Sequence, residues 1–125
     1  MSSQTKYAEP GERPPPNTKR IYRWGDLPGQ VTPARYRVHD ETSGETQDFT
    51  VSGHKRQVLE GIMRGPIMAA SYCRLSDQIL PLRRDKSVPI ICTIYRNDAD
   101  TGREKFGVYT LEARVTRVAE SEVAA

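Results

Sequence analysis

From Arg35 onward, apolar and polar residues alternate. Tyr36 and Val38 fall on one face of "RYRVHDE", and Phe49 and Val51 on one face of "TQDFTVS". A period of two marks strands with one buried side, and the "TSGE" between the two runs supplies a glycine-containing turn. The pair is expected as a β-hairpin. The period then lengthens. In "SGHKRQVLEGIMRGP" the apolar positions Val58, Leu59, Ile62 and Met63 form one stripe at helical spacing. Ser52 is placed as N-cap, Gly65 as a left-handed C-cap, and Pro66 blocks continuation, so this is the clearest helix in the chain.

The next stretch, "IMAASYCRLSDQILPLRRDKS", predicts a short helix anchored by Met68, Ala69 and Tyr72. A longer one follows, anchored by Leu75, Ile79 and Leu82. Two β-rich runs come after it, "VPIICTIYR" and "FGVYTLEA", with turn chemistry at Asp100, Thr101 and Gly102 between them. Residues 114–125 alternate weakly and are expected as a strand remnant running into a frayed C-terminus. Residues 1–34 read as a Pro-rich, largely disordered tail, because "YAEPGERPPPNTKR" has almost nothing apolar to offset the entropy of ordering it. Its last part carries Ile21, Tyr22, Trp24 and Leu27. Those side chains either clamp onto the domain, dock on a protein partner, or decorate an exposed linker.

Helix, short helix, longer helix and β-hairpin is the element order of a winged helix-turn-helix. The expected fold class is therefore α+β: three helices plus a C-terminal β-hairpin wing over residues 35–113, preceded by the short N-terminal hairpin. The third helix would face the DNA major groove and the wing would lie along a flank. Charge supports that placement. The 125-residue chain has a net charge of only +3, but residues 53–86 hold seven basic and three acidic groups. Arg74, Ser76, Gln78, Arg83, Arg84 and Lys86 on the helix, with Arg96, Arg103 and Lys105 on the wing, are the candidate DNA-binding residues. Asp98, Asp100 and Glu104 interleave with the wing cations and would repel phosphate, which counts against a fully engaged wing.

The run "VSGHKRQVLEGIMRGPIMAASYCRLSDQILPLRRDKSVPIICTIY", followed by "FGVYTL", resembles the small winged-helix proteins of alphaproteobacteria and their phages. The matching positions are Ser52, Gly53, Leu59, Gly65-Pro66, Arg74-Leu75-Ser76, Ile79, Leu82-Arg83, Pro89-Ile90, Thr93, Tyr109 and Leu111. The likeness covers roughly residues 35–111. It implies double-stranded DNA as partner and a role in transcription regulation of the prophage or mobile-element type, with homodimers over two half-sites common for such folds. The same fold also serves as a protein-interaction module, adaptor or inhibitor, and the Trp24 segment would suit that use.

Pro81 departs from the pattern. Inside a helix, proline costs about 3 kcal/mol or more, whereas in the first turn it costs nothing. A helix starting at Asp77 or Gln78, or one kinked at Pro81, would accommodate it, and either would be a shortened or bent reader of DNA. No catalytic motif, cofactor signature or metal-ligand spacing is legible: Cys73, Cys92, His39 and His54 show no close pairing, and neither histidine sits among catalytic partners. The chain thus reads as a non-enzyme without a cofactor. Both cysteines read as small core residues of a reducing cytoplasm, nucleoid-associated if the protein binds DNA, and no apolar run is long enough for a membrane span.

Overall fold

The computed structural model describes residues 5–9, 11–69, 75–86, 88–96 and 104–118. Two expected elements stand where the hydrophobic period put them. Strands β3 (Ala34–His39) and β4 (Thr46–Val51) form an antiparallel hairpin, and α1 runs from Gly53 to Met63. Ser52 holds the N-cap position, but its hydroxyl makes no capping bond. Instead Gly53 adopts a left-handed conformation, φ 64°, and donates its N–H to the Val31 carbonyl at 2.7 Å. The chain is steered into the helix by backbone, and glycine is the residue that tolerates that φ.

The three-helix winged architecture is not what the chain builds. The described residues hold two helices and eight strands in two sheets. Ile67–Ala69, expected to open a short helix, is strand β5, with Ile67 and Met68 both buried and pointing to opposite faces of the sheet. Tyr72, the remaining anchor of that expected helix, lies outside the described residues. Strands β6 (Ile90–Arg96) and β7 (Lys105–Leu111) do form the expected antiparallel hairpin. They are the centre of a five-stranded sheet rather than a free flap, in the order β1 (Thr5–Tyr7), β6, β7, β5, β2 (Lys19–Ile21).

The two outer strands come from the proline-rich segment. β1 (Thr5–Tyr7) pairs parallel with β6, and β2 (Lys19–Ile21) pairs parallel with β5. The connection between them must cross the sheet, about 19 Å at 4.8 Å per strand. It does so over the face that carries Met68, Tyr95, Phe106 and Val108, with Ala8 packed on that cluster. Ala8 N–H donates to Ile94 and Lys19 N–H to Pro66, both at 2.9 Å, so the crossing is tied at each end. The segment expected as a disordered tail is thus a strap. Prolines 14–16 have few backbone states to lose, and ordering them requires less compensating burial than an ordinary polar stretch.

The main core lies on the opposite face. Ile67 and Ile90 from the five-stranded sheet meet Val58, Leu59 and Ile62 of α1, and Leu75, Ile79 and Leu82 on and beside α2 (Ser76–Asp85). Tyr36, Val38, Phe49 and Val51 close it from the hairpin side. β8 (Arg114–Arg117) joins that hairpin to give a three-stranded antiparallel sheet, order β4-β3-β8. Pro81 is the sixth residue of α2, in its second turn, and the helix continues through it. The late start is therefore not used, because Leu75 is drawn into the core (0% exposed) and sets the helix origin. Among the described residues, no helix is long and apolar enough to cross a membrane.

Candidate nucleic-acid interface

The predicted DNA-contacting residues do not converge. On α2, Ser76 and Arg84 are exposed, while Gln78 and Lys86 are half-buried. Arg83 is turned inward, its Nε donating to the Ile90 carbonyl at 2.9 Å, where it fastens α2 to the start of β6. Arg96 and Lys105 face each other across β6 and β7 at the far end of the same hairpin. Six residue steps along β6 separate Ile90 from Arg96, about 20 Å. The α2 cations and the hairpin cations therefore sit at opposite ends of the strand pair. Arg74 and Arg103 lie outside the described residues, as do Cys73, Asp98 and Asp100. Cys92 is a buried free thiol, and burial pushes its pKa up, away from the reactive thiolate.

Trp24 is engaged by its own chain. Its ring stacks on His54, centroids 3.9 Å apart at 20°, and its carbonyl accepts from Gln57 Nε2 at 3.4 Å. Gln57 Oε1 in turn lies 2.8 Å from His54 Nδ1. The Asp26 carboxylate accepts the N–H groups of Tyr22 (2.9 Å) and Arg23 (3.3 Å), and the Tyr22 bond above all holds its pKa below the ordinary carboxylate range. Leu27, the residue directly after this turn, is 5% exposed in the main core.

Arg56 is also committed to structure, being 2% exposed. Its Nε donates to the Tyr36 hydroxyl (3.1 Å) and to Glu60 (2.9 Å), and its terminal nitrogen to the Thr32 carbonyl (2.8 Å) and hydroxyl (2.9 Å). This cation joins α1 to the three-stranded sheet through these bonds, which offset the cost of burying its charge. Desolvation raises the Tyr36 phenol pKa.

A concentration of outward-facing polar chemistry lies on the outer face of the three-stranded sheet. Tyr36 and Val38 point into the core, so the intervening Arg35, Arg37 and His39 point out. Register adds Thr50, Asp48 and Thr46 from β4, and Thr116 and Arg114 from β8. Among the described residues this face holds three arginines and one carboxylate. Asp48 accepts two hydrogen bonds from Arg37, at 2.8 and 3.1 Å, and lies 3.7 Å from Arg35. The Arg37 bonds are the main reason its pKa is lowered. Arg114 is exposed at the β8 edge.

The net negative charge of residues 35–52 conceals this face in the sequence. The structure separates the signs. The arginines lie on the sheet, while Asp40, Glu41 and Glu45 are gathered in the turn beyond it, lining a cleft of about 760 Å³ with Glu112. Asp40 is occupied there, accepting the Thr42 and Ser43 N–H groups at 2.9 and 3.3 Å. The available signal was the alternation itself: the positions between Tyr36 and Val38 are the outward ones, and they read Arg35, Arg37, His39. No family model, no curated protein and no solved structure matches the chain.

Proposed function

We propose that this chain binds double-stranded DNA through phosphate contacts made by the outer face of the three-stranded sheet. The observation that carries the reading is the outward row of Arg35, Arg37 and Arg114 with Asp48 as its single carboxylate. Successive outward residues of β3 stand about 7 Å apart, and β8 lies about 4.8 Å to one side, so the guanidinium groups form a compact basic patch. Hydroxyls of Thr46, Thr50 and Thr116 add hydrogen-bond donors of the kind that position proteins on phosphate oxygens.

The aromatic residues of the sheet favour a duplex over a single strand. Tyr36 and Phe49 stack on each other, centroids 5.9 Å apart, on the core side. Single-strand binders need exposed aromatic platforms for bases, worth about 1–3 kcal/mol per base. This face offers no such platform, so its contacts are to backbone and independent of base sequence. With Arg37 held by Asp48, Arg35 and Arg114 give about two phosphate contacts and a logarithmic salt slope of about −1.8, or a loss of about 12-fold between about 50 and 200 mM salt.

The test is anisotropy of a short labelled duplex at several salt concentrations, with the wild-type chain, an Arg35→Ala/Arg114→Ala variant, and an Arg84→Ala/Lys86→Ala variant. Loss of two phosphate contacts is expected to weaken binding roughly tenfold or more and to flatten the slope by about 2, while the α2 variant binds as wild type. Absence of binding by the folded wild-type protein at low salt would sink the proposal. Loss confined to the α2 variant would move the interface to the helix.

A further inference from the structure

His39 is the one outward residue of β3 that carries an imidazole, and the structure holds its ring in place. Its Nε2 lies 2.9 Å from Thr116 Oγ1 on the neighbouring strand. A hydroxyl can donate to a neutral imidazole nitrogen and, after rotating its hydrogen, accept from a protonated one. The contact therefore survives in both states, and protonation adds a positive charge without reorganising the strand.

The charged neighbours on all three strands are defined. Arg37 is two residues back on β3, Arg114 is directly opposite on β8, and Asp48 lies on β4 beside Arg37 with its carboxylate already bonded to that arginine. Thr46 is the uncharged β4 residue opposite His39. Beyond the strand end, Asp40 has its carboxylate turned to the backbone of its own loop, where Glu41 and Glu45 are exposed. A phosphate arriving over the face meets these cationic neighbours together with the ring.

We infer that His39 is a pH-dependent phosphate contact of this face, so that duplex binding tightens and gains salt dependence as the imidazole becomes protonated. The inference rests on the proposed use of the face for DNA. Imidazole is the side chain whose charge ordinarily changes between about pH 5 and 8, so the face would act as a graded acid-responsive binder.

The experiment measures the salt slope of duplex binding at about pH 5.5 and about pH 8. The proteins are wild type, His39→Gln, His39→Lys and His54→Gln, each checked for an unchanged thermal transition. Wild type and His54→Gln are expected to steepen by about 0.9 at the lower pH, the value of one additional phosphate contact. His39→Gln keeps a side chain able to reach Thr116 but cannot charge, so its slope stays at the high-pH value throughout. His39→Lys should show the steep slope at both pH values. Equal wild-type slopes at the two pH values, or a pH response that persists in His39→Gln, would overturn the inference while leaving the DNA reading intact. Failure of every variant to bind at either pH would overturn both.

Discussion

Gly61 gives a direct test of whether the N-terminal segment belongs to the core. Near the end of α1, a glycine is ordinarily a weakness, and replacing it with alanine should stabilise the helix by about 1 kcal/mol. Here the added Cβ would lie 2.5 Å from Leu27 Cδ2, far inside contact distance. Leu27 is 5% exposed and belongs to the main core, so its side chain has little room to yield. Overpacking of this kind costs about 1–3 kcal/mol, which cancels or exceeds the propensity gain. Gly61→Ala is therefore expected to be neutral to destabilising by about 2 kcal/mol. Leu27→Ala alone removes a buried side chain and should cost about 2–5 kcal/mol. In the double variant the clash is gone, the propensity gain is recovered and the new methyl fills part of the vacated space. The double variant should then be at least about 1 kcal/mol more stable than Leu27→Ala alone. Urea unfolding followed by far-ultraviolet circular dichroism gives all four free energies. A Gly61→Ala variant that is stabilised by about 1 kcal/mol in the wild-type background, with additive behaviour in the double, would refute the packing of Leu27 on α1.

Three further outcomes are expected. Pro81→Ala should stabilise the protein by about 1–2 kcal/mol, because a second-turn proline has no N–H to donate towards the Asp77 carbonyl, and the gain is reduced by the added freedom of the unfolded chain; thermal unfolding reads it. Deleting residues 2–18 should uncover Met68, Tyr95, Phe106 and Val108, measured as a rise in binding of a hydrophobic dye and a fall in the unfolding midpoint of more than about 10 °C. Asp48→Asn should act twice. It removes the one carboxylate from the basic face, so duplex binding should tighten and its salt slope should steepen. It also removes a group whose folded pKa is lowered, chiefly by Arg37. The stability from such a group is fully present above the ordinary carboxylate pKa of about 3.9 and is lost as pH falls through the lowered value. Wild type should accordingly lose stability more steeply than the variant in acid titrations of the unfolding midpoint.

Local order was legible wherever one period ran uninterrupted. Tyr36, Val38, Phe49 and Val51 specified the first hairpin, and Val58, Leu59 and Ile62 specified α1, because a half-buried element must repeat its apolar residues at its own geometric period. The β6 and β7 hairpin was equally visible in its β-branched runs. Ile67–Ala69 was not, since three residues are too few to distinguish the two periods, and it became a strand because β7 was available to pair with it. The strap and its two strands were hidden for a different reason. Parallel pairing of Thr5–Tyr7 with β6 and Lys19–Ile21 with β5 joins residues far apart in the chain, and backbone hydrogen bonds need no apolar side chain to announce them.

The candidate site divides in the same way. Its residue types and their outward direction follow from the alternation in "RYRVHDE", which any hairpin with Tyr36 and Val38 inward must obey. Its charge does not, because the net negative charge of residues 35–52 includes a turn that folding moves off the sheet. Arg114, Thr116 and the His39 contact were decided only when β8 returned to pair with β3, bringing together residues 77 positions apart. Period is a local property of the chain, whereas the placing of charges on one surface depends on which distant strands become neighbours.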